Sequence, residues 1–143
     1  MKYYSLPVLP YLSNTINVMK QQKFSLFKRL KSFTYAFNGL RILIKEEHNA
    51  RIHLFAAIGV IIAGLYFRVS LYEWIAITFS IGLVISLEII NSSIENIADF
   101  ISTERHQKIK RIKDLSASGV LISTTNASII GLIIFIPKIF KLC

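Results

Sequence analysis

Across residues 24–44 the apolar positions Phe27, Leu30, Phe33, Phe37, Leu40 and Ile44 recur every three or four residues. Lys28, Lys31, Arg41 and Lys45 fill other positions of the same stretch. That period is helical, and a helix with an apolar side and a basic side suits a membrane surface. Three apolar segments follow. The first, 52–67, is short for a span and ends at Arg68, whose long side chain can snorkel to the interface. The second, 74–94, contains eleven Ile, Leu, Val or Phe residues. The third, 119–136, is interrupted by Asn126 and closed by Pro137. The pattern predicts an all-α membrane protein: an amphipathic surface helix over about 28–50, then spans over about 52–67, 74–94 and 119–136.

The second segment breaks its own pattern. Within "SLEIINSSIENIADF", residues 86–100, polar groups stand at Glu88, Asn91, Glu95 and Asp99. At about 100° per residue the last three fall at roughly −60°, −20° and +20° from Glu88, so all four share one narrow face. The apolar residues of 74–94 contribute about −3 to −7 kcal/mol to insertion, against about +3 for one central carboxylate. The segment still inserts, but Glu88 is expensive there, and an ionisable residue inside a membrane is by default a functional one.

Composition agrees with membrane insertion. The 143 residues are 53% hydrophobic, with a mean hydropathy of +0.53. The net charge of +9 is spread as flanks to apolar runs rather than as one basic face. Anionic headgroups or phosphates are therefore the expected partners, and nucleic acid is not. The single cysteine, Cys143, permits no intrachain disulfide. His48, His53 and His106 lack zinc-binding spacing. Residues 1–27, broken by Pro7 and Pro10, make a poor signal peptide and read as an extension of unknown role. Nine basic residues precede the first span and five lie between the second and third. Only Arg68 lies between the first and second, and Lys138 and Lys141 lie in the short 138–143 tail. That bias predicts a cytoplasmic N-terminus and second loop, with the C-terminus outside. Glu88 then lies roughly 10 Å below the cytoplasmic end of its helix, with Glu95 and Asp99 at the surface.

The depth ordering suggests chemistry. Glu88 sits where the hydroxyl of a lipid headgroup can reach it, and Glu95 where water, metal ions and nucleotides are available. Glu46 and Glu47 end the surface helix at a similar depth to Glu95. Mg²⁺ takes one or two carboxylates plus substrate phosphates, so one glutamate from each helix suffices. Lys113 and Asp114 follow the basic loop, where cations meet a polyphosphate. Asn91, one turn from Glu88, is placed to orient its carboxylate. Each also has a plainer use: Asp99 as a solvated or capping helix end, Lys113 as ordinary flanking charge, Asn91 as an amide joining helices.

Two signatures carry a resemblance. "EIINSSIENIAD" resembles the pattern E-x-x-N-S/T-A/S-I/V-E-x-x-x-D, and "KDLSASGVL" resembles a K-D, small-residue, V-L pattern. Both belong to the small bacterial integral-membrane lipid kinases, the diacylglycerol kinase and undecaprenol kinase family. "EHNARIH", residues 47–53, is similar to an element of the undecaprenol-kinase branch. The resemblance covers about 28–137. It implies a homotrimer of three-span protomers in the bacterial inner membrane, with a cytoplasmic active site shared between neighbouring protomers. It implies transfer of the ATP γ-phosphoryl group to a lipid hydroxyl with Mg²⁺ as cofactor, undecaprenol being favoured and diacylglycerol second. By motif position Glu88 is the base and Asn91 its partner; Glu47 and Glu95 are metal ligands; Lys113 and Asp114 contact nucleotide. Tyr35, Glu104, His106 and Lys28 match nucleotide-contacting positions more loosely, and Glu88, Ser116 and Ala117 fall on the lipid side. Serines stand at Ser93, Ser116 and Ser118 where alanine or glycine is commoner. No Walker P-loop or protein-kinase motif is present. The competing classes are a proton- or cation-coupled multidrug-type transporter, which has no evident need for Glu95, and a non-catalytic membrane subunit, which does not require Glu47, Glu95 and Lys113 together.

Overall fold

The computed structural model describes residues 25–101 and 106–141; the extension's first 24 residues, Glu104 and Cys143 lie outside the described residues. Four helices follow one another: α1 Leu26–Glu46, α2 His48–Tyr66, α3 Leu71–Ile101 and α4 Gln107–Phe140. The chain divides between Phe37 and Asn38, inside α1, and everything below concerns the second part unless stated. α2, α3 and α4 are each long and apolar enough to cross a membrane, including the short first segment.

The surface helix predicted to run to about residue 50 ends at Glu46. Glu47 is extended (φ −97°, ψ 117°) and begins α2 as its N-cap. Neither glycine nor proline marks this break, so the periodicity alone runs through it. The turn between α2 and α3 is better encoded. Arg68 takes a positive φ of 50° beyond the end of α2. Its N–H bonds to the Leu65 carbonyl, and that of Val69 to the Gly64 carbonyl, satisfying the last turn in a Schellman arrangement. Ser70 then caps α3: its N–H donates to Glu73 Oε2 (2.5 Å), and the Glu73 N–H returns to Ser70 Oγ (3.4 Å). Val69 and Trp74, one on each side of this box, join the same hydrophobic cluster.

That cluster centres on Val69, Ile77 and Ile134, with Val60, Ile81, Ile130 and Phe135 against it. α2 contributes small residues to its buried side, Ala50, Ala57 and Gly64, seven apart. At Gly64 a Cβ would come within 2.8 Å of the Trp74 ring, so the absence of a side chain sets how closely α2 meets α3. The most extensive pairing is α3 with α4. α4 runs three residues past Pro137, where the sequence predicts its end. The ring removes one N–H from the ladder and crowds the carbonyl four residues back, without ending the helix. The Lys141 N–H closes the helix end on the Pro137 carbonyl (3.3 Å).

Most large apolar side chains of α2, α3 and α4 face outward, as a lipid-embedded bundle requires. Several hydroxyls in the spans return to their own helix: Ser80 to the Ala76 carbonyl, Thr125 to Leu121 and Ser128 to Thr124, each at 2.8 Å. Asn126 differs: it is exposed and makes no hydrogen bond among the described residues.

Candidate functional site

The buried face of α3 carries Ile77, Ser80, Val84, Glu88 and Ala98. The polar stripe is thus the continuation of the core stripe, with a carboxylate where the next apolar residue belongs. Glu88 is 3% exposed and has neither a hydrogen bond nor an ion pair among the described residues, yet neither of its oxygens is fully enclosed. It lies in electrostatic range of His53, Glu47 and Glu95. A buried, unpaired carboxylate costs several kcal/mol or more, so it is kept for a use. Glu47 reaches this face of α3 from the α1–α2 break within one chain.

Two carboxylates flank Glu88, and each has one oxygen fixed. Glu47 occupies the N-cap of α2 but makes no side-chain cap. Its Oε1 instead accepts from Ser92 Oγ on α3, at 2.8 Å. Glu95 Oε1 accepts from Asn91 Nδ2 at 2.9 Å. Asn91 Oδ1 in turn accepts a short hydrogen bond from Ser116 Oγ of α4. Asn91 therefore serves Glu95, and its bonds do not run to Glu88 as the spacing suggests. The second oxygen of Glu47 and of Glu95 has no protein partner among the described residues.

This donor set fits Mg²⁺. Two half-buried carboxylates, each with a free oxygen and no salt bridge among the described residues, suit a hard ion that keeps waters and takes substrate phosphates. No group of three or more His, Cys, Asp or Glu side chains converges among the described residues, so an all-protein metal cage is absent there.

Farther along α3, Asp99 does not simply meet solvent. It holds Lys113 with both oxygens, at 2.8 and 3.0 Å. The hydrogen bond to Asp99, with its charge, raises the Lys113 ammonium above the usual lysine range. Lys113 precedes the apolar part of α4 by about six residues. Asp114 beside it is exposed, as is Ala117, while Ser116 is engaged by Asn91. His106 caps α4, its Nδ1 accepting the Lys108 N–H at 3.2 Å. Tyr35 is exposed on the separate first part of the chain, and the side chain of Lys28 lies outside the described residues.

Glu47, Glu88, Asn91, Glu95 and Ser116 thus come together within one chain; Lys113 and Asp99 sit beyond them toward the end of α3. Sequence reasoning missed Ser92 and the Lys113–Asp99 pair. Ser92 lies on the edge of the stripe, which is a signal, but its partner is 45 residues away across an unmarked break. It also missed a groove of about 380 Å³ between α2, α3 and α4, apolar except at a few positions such as His53, Thr124 and Ser128, with His53 its sole ionisable lining residue.

Comparison with known proteins places these residues in context. The sequence model described as prokaryotic diacylglycerol kinase matches residues 34–135. The chain is 36% identical over 120 residues to an undecaprenol kinase of Bacillus subtilis, covering 84% of this chain and 98% of that protein. It is 36% identical over 97 residues to a diacylglycerol kinase of Helicobacter pylori, covering 67% of this chain and 76% of the relative. A diacylglycerol kinase of Synechocystis is 29% identical over 114 residues, covering 79% and 65% respectively. The transporter alternative finds no support in these relatives.

Proposed function

The chain belongs to the prokaryotic diacylglycerol kinase family, and on that premise we propose that it is a membrane lipid kinase. It transfers the γ-phosphoryl group of ATP to the hydroxyl of a membrane lipid, undecaprenol first and diacylglycerol second. The observation that carries this reading is Glu88: a buried carboxylate without a partner, flanked by two carboxylates each anchored through one oxygen. A transporter's lone glutamate needs no such flanks.

In the reaction the lipid oxygen attacks the γ-phosphorus while the bond to the β–γ bridging oxygen breaks and ADP leaves. Glu88 accepts the hydroxyl proton. Such transfer needs positioning and charge neutralisation more than covalent help from the protein. Glu47 and Glu95 offer their free oxygens to Mg²⁺, which when bound neutralises charge on the phosphates. Asn91, held by Ser116, keeps Glu95 in place. Lys113 faces the nucleotide with Asp114, and reaches phosphate by giving up one of its two bonds to Asp99. Tyr35, Glu104, His106 and Lys28 are proposed nucleotide contacts, and Ser116 and Ala117 border the lipid.

The setting is the bacterial inner membrane, with the N-terminus and active site cytoplasmic and the C-terminus outside, as the basic flanks favour. A homotrimer is supported by Asn126, whose exposed amide in mid-span is costly against hydrocarbon and satisfied by a neighbouring helix. Undecaprenol is favoured by the "EHNARIH" element and by similarity along nearly all of the Bacillus relative. Purified protein given γ-labelled ATP, Mg²⁺ and both lipids in competition is expected to label undecaprenol preferentially. Label in neither lipid overturns the kinase; label mainly in diacylglycerol reverses the preference.

A further inference from the structure

The hydroxyls of α3 and α4 have a default partner, the carbonyl one turn back. Ser93 illustrates it, donating to the Ile89 carbonyl at 2.8 Å. Its neighbour Ser92 departs from that habit and donates across to Glu47 Oε1. Glu47, at the N-cap of α2, makes no side-chain bond to the first N–H groups of its own helix. The two side chains meet across the helices at 2.8 Å.

The choice of donor matters. A lysine or arginine there would cancel the charge of Glu47, whereas a serine fixes one oxygen and leaves the carboxylate anionic. Oε2 is left without a protein partner among the described residues and is not buried from its surroundings. Ser92 also stands three residues before Glu95 on the same side of α3, so anchoring Glu47 to it sets the two carboxylates against one stretch of helix.

We infer that Ser92 is a positioning residue: through Oγ it holds Glu47 with one oxygen fixed and the other presented, opposite Glu95, to a divalent cation. This rests on the reading of Glu47 and Glu95 as the cation-binding pair. Partners that orient metal ligands typically alter metal affinity 10–100-fold when removed, and a single hydrogen bond from an uncharged donor belongs at the lower end.

The test compares Ser92→Thr with Ser92→Val, which share a shape and differ by the hydroxyl, with Ser92→Ala alongside. Full-length protein in lipid nanodiscs is titrated with Mn²⁺ in the presence of a non-hydrolysable ATP analogue, and binding is followed by electron paramagnetic resonance. Ser92→Val and Ser92→Ala are expected to weaken Mn²⁺ binding about 10-fold, and Ser92→Thr to stay near the parent. In turnover the loss should fall on the KM for the metal–nucleotide more than on kcat. Adding Ser92→Val to Glu47→Gln should cause no further loss, because the serine acts through that carboxylate. Unchanged Mn²⁺ affinity in Ser92→Val, or a loss that adds fully to that of Glu47→Gln, overturns the inference while leaving the cation pair standing. If Glu47→Gln itself binds Mn²⁺ like the parent, the cation-pair reading falls and the inference falls with it.

Discussion

The two halves of α3 use one face for opposite purposes. Toward its start, Ile77 packs in the apolar cluster with residues of α2 and α4, Val84 lines the apolar groove between them, and the Ser80 hydroxyl returns to its own helix. Toward its end, Glu88, Asn91, Ser92 and Glu95 are surrounded by side-chain hydrogen bonds that reach 25 to 45 residues away. In hydrocarbon the first kind of packing rests on close fit and dispersion, because lipid tails are as apolar as leucine. The second rests on a few specific side-chain hydrogen bonds that leave Glu88 and one oxygen each of Glu47 and Glu95 unpaired among the described residues, so a single deletion is felt. The difference teaches where sensitivity should lie. The apolar half tolerates small losses of volume with function intact, whereas the polar half loses chemistry before it loses the fold.

The sharpest way to break that contrast is to substitute one turn apart on the same face. Glu88→Gln should lower kcat by about 10²–10⁴-fold, the ordinary range for a general base, and leave nucleotide affinity near the parent value. Val84→Ala, one turn earlier, should lower stability by about 1–3 kcal/mol and keep kcat within a few-fold. Steady-state kinetics and thermal unfolding in the same detergent separate the two; turnover surviving in Glu88→Gln removes its role as base. Mixing sharpens this further. The family resemblance implies sites shared between protomers, but Glu47 reaches the Glu88 face within one chain. Co-assembling Glu88→Gln with Glu47→Gln chains should give active sites only where one chain carries both glutamates, so mixing should recover nothing. Recovered activity would mean that these two residues are drawn from different chains.

Next in size come the flanking carboxylates. Glu95→Gln should raise the Mg²⁺ concentration needed for half-maximal turnover by about 10–100-fold, with excess Mg²⁺ restoring much of the rate. Asn91→Ala should resemble a weaker Glu95→Gln rather than a weaker Glu88→Gln, because the amide serves Glu95 and Ser116. A loss of kcat in Asn91→Ala that Mg²⁺ fails to relieve would return Asn91 to the base.

In the apolar half, Gly64→Ala should lower stability by about 1–2 kcal/mol through the clash with Trp74, whose ring must tilt to make room, with kcat unchanged. A loss of turnover equal to that of the polar-half variants would erase the distinction between the halves.

How much of this was legible follows the same division. Features with a period or a local box could be read: the three apolar segments, the stripe from Glu88 to Glu95, and the basic flanks. Features made by distant pairing could not. Ser92 finds Glu47 only because α1 breaks at Glu46 without glycine or proline, and Asn91 prefers Glu95 and Ser116 because α4 brings a hydroxyl alongside. Asp99 looked like a helix end and became the partner of Lys113 across a helix turnaround. Pro137 looked like a stop, yet α4 continues three residues past it.

The smallest expected effect lies where α3 begins. Glu73 sits just ahead of the apolar segment, accepts the Ser70 N–H, and pairs with Lys138 at 3.1 Å, tying the start of α3 to the end of α4. The backbone hydrogen bond from Ser70, then the Lys138 ammonium, hold its carboxyl below the usual value of 4.5. A carboxyl depressed by folding contributes stability above its unfolded value and loses it as pH falls through its folded value. Glu73→Gln should therefore unfold at a slightly lower temperature than the parent at pH 7. The gap should begin to narrow below pH 4.5 and close in stronger acid, where the parent's own carboxyl is protonated. Salt should narrow the gap at neutral pH too, since the pair with Lys138 is partly exposed and screened. Turnover at pH 7 should not change, because this end of α3 holds none of the groups proposed to face lipid hydroxyl, cation or phosphate. A gap that widens in acid would mean that protonated Glu73 is the better cap. A fall in kcat would mean that the apolar half transmits its state to the polar one.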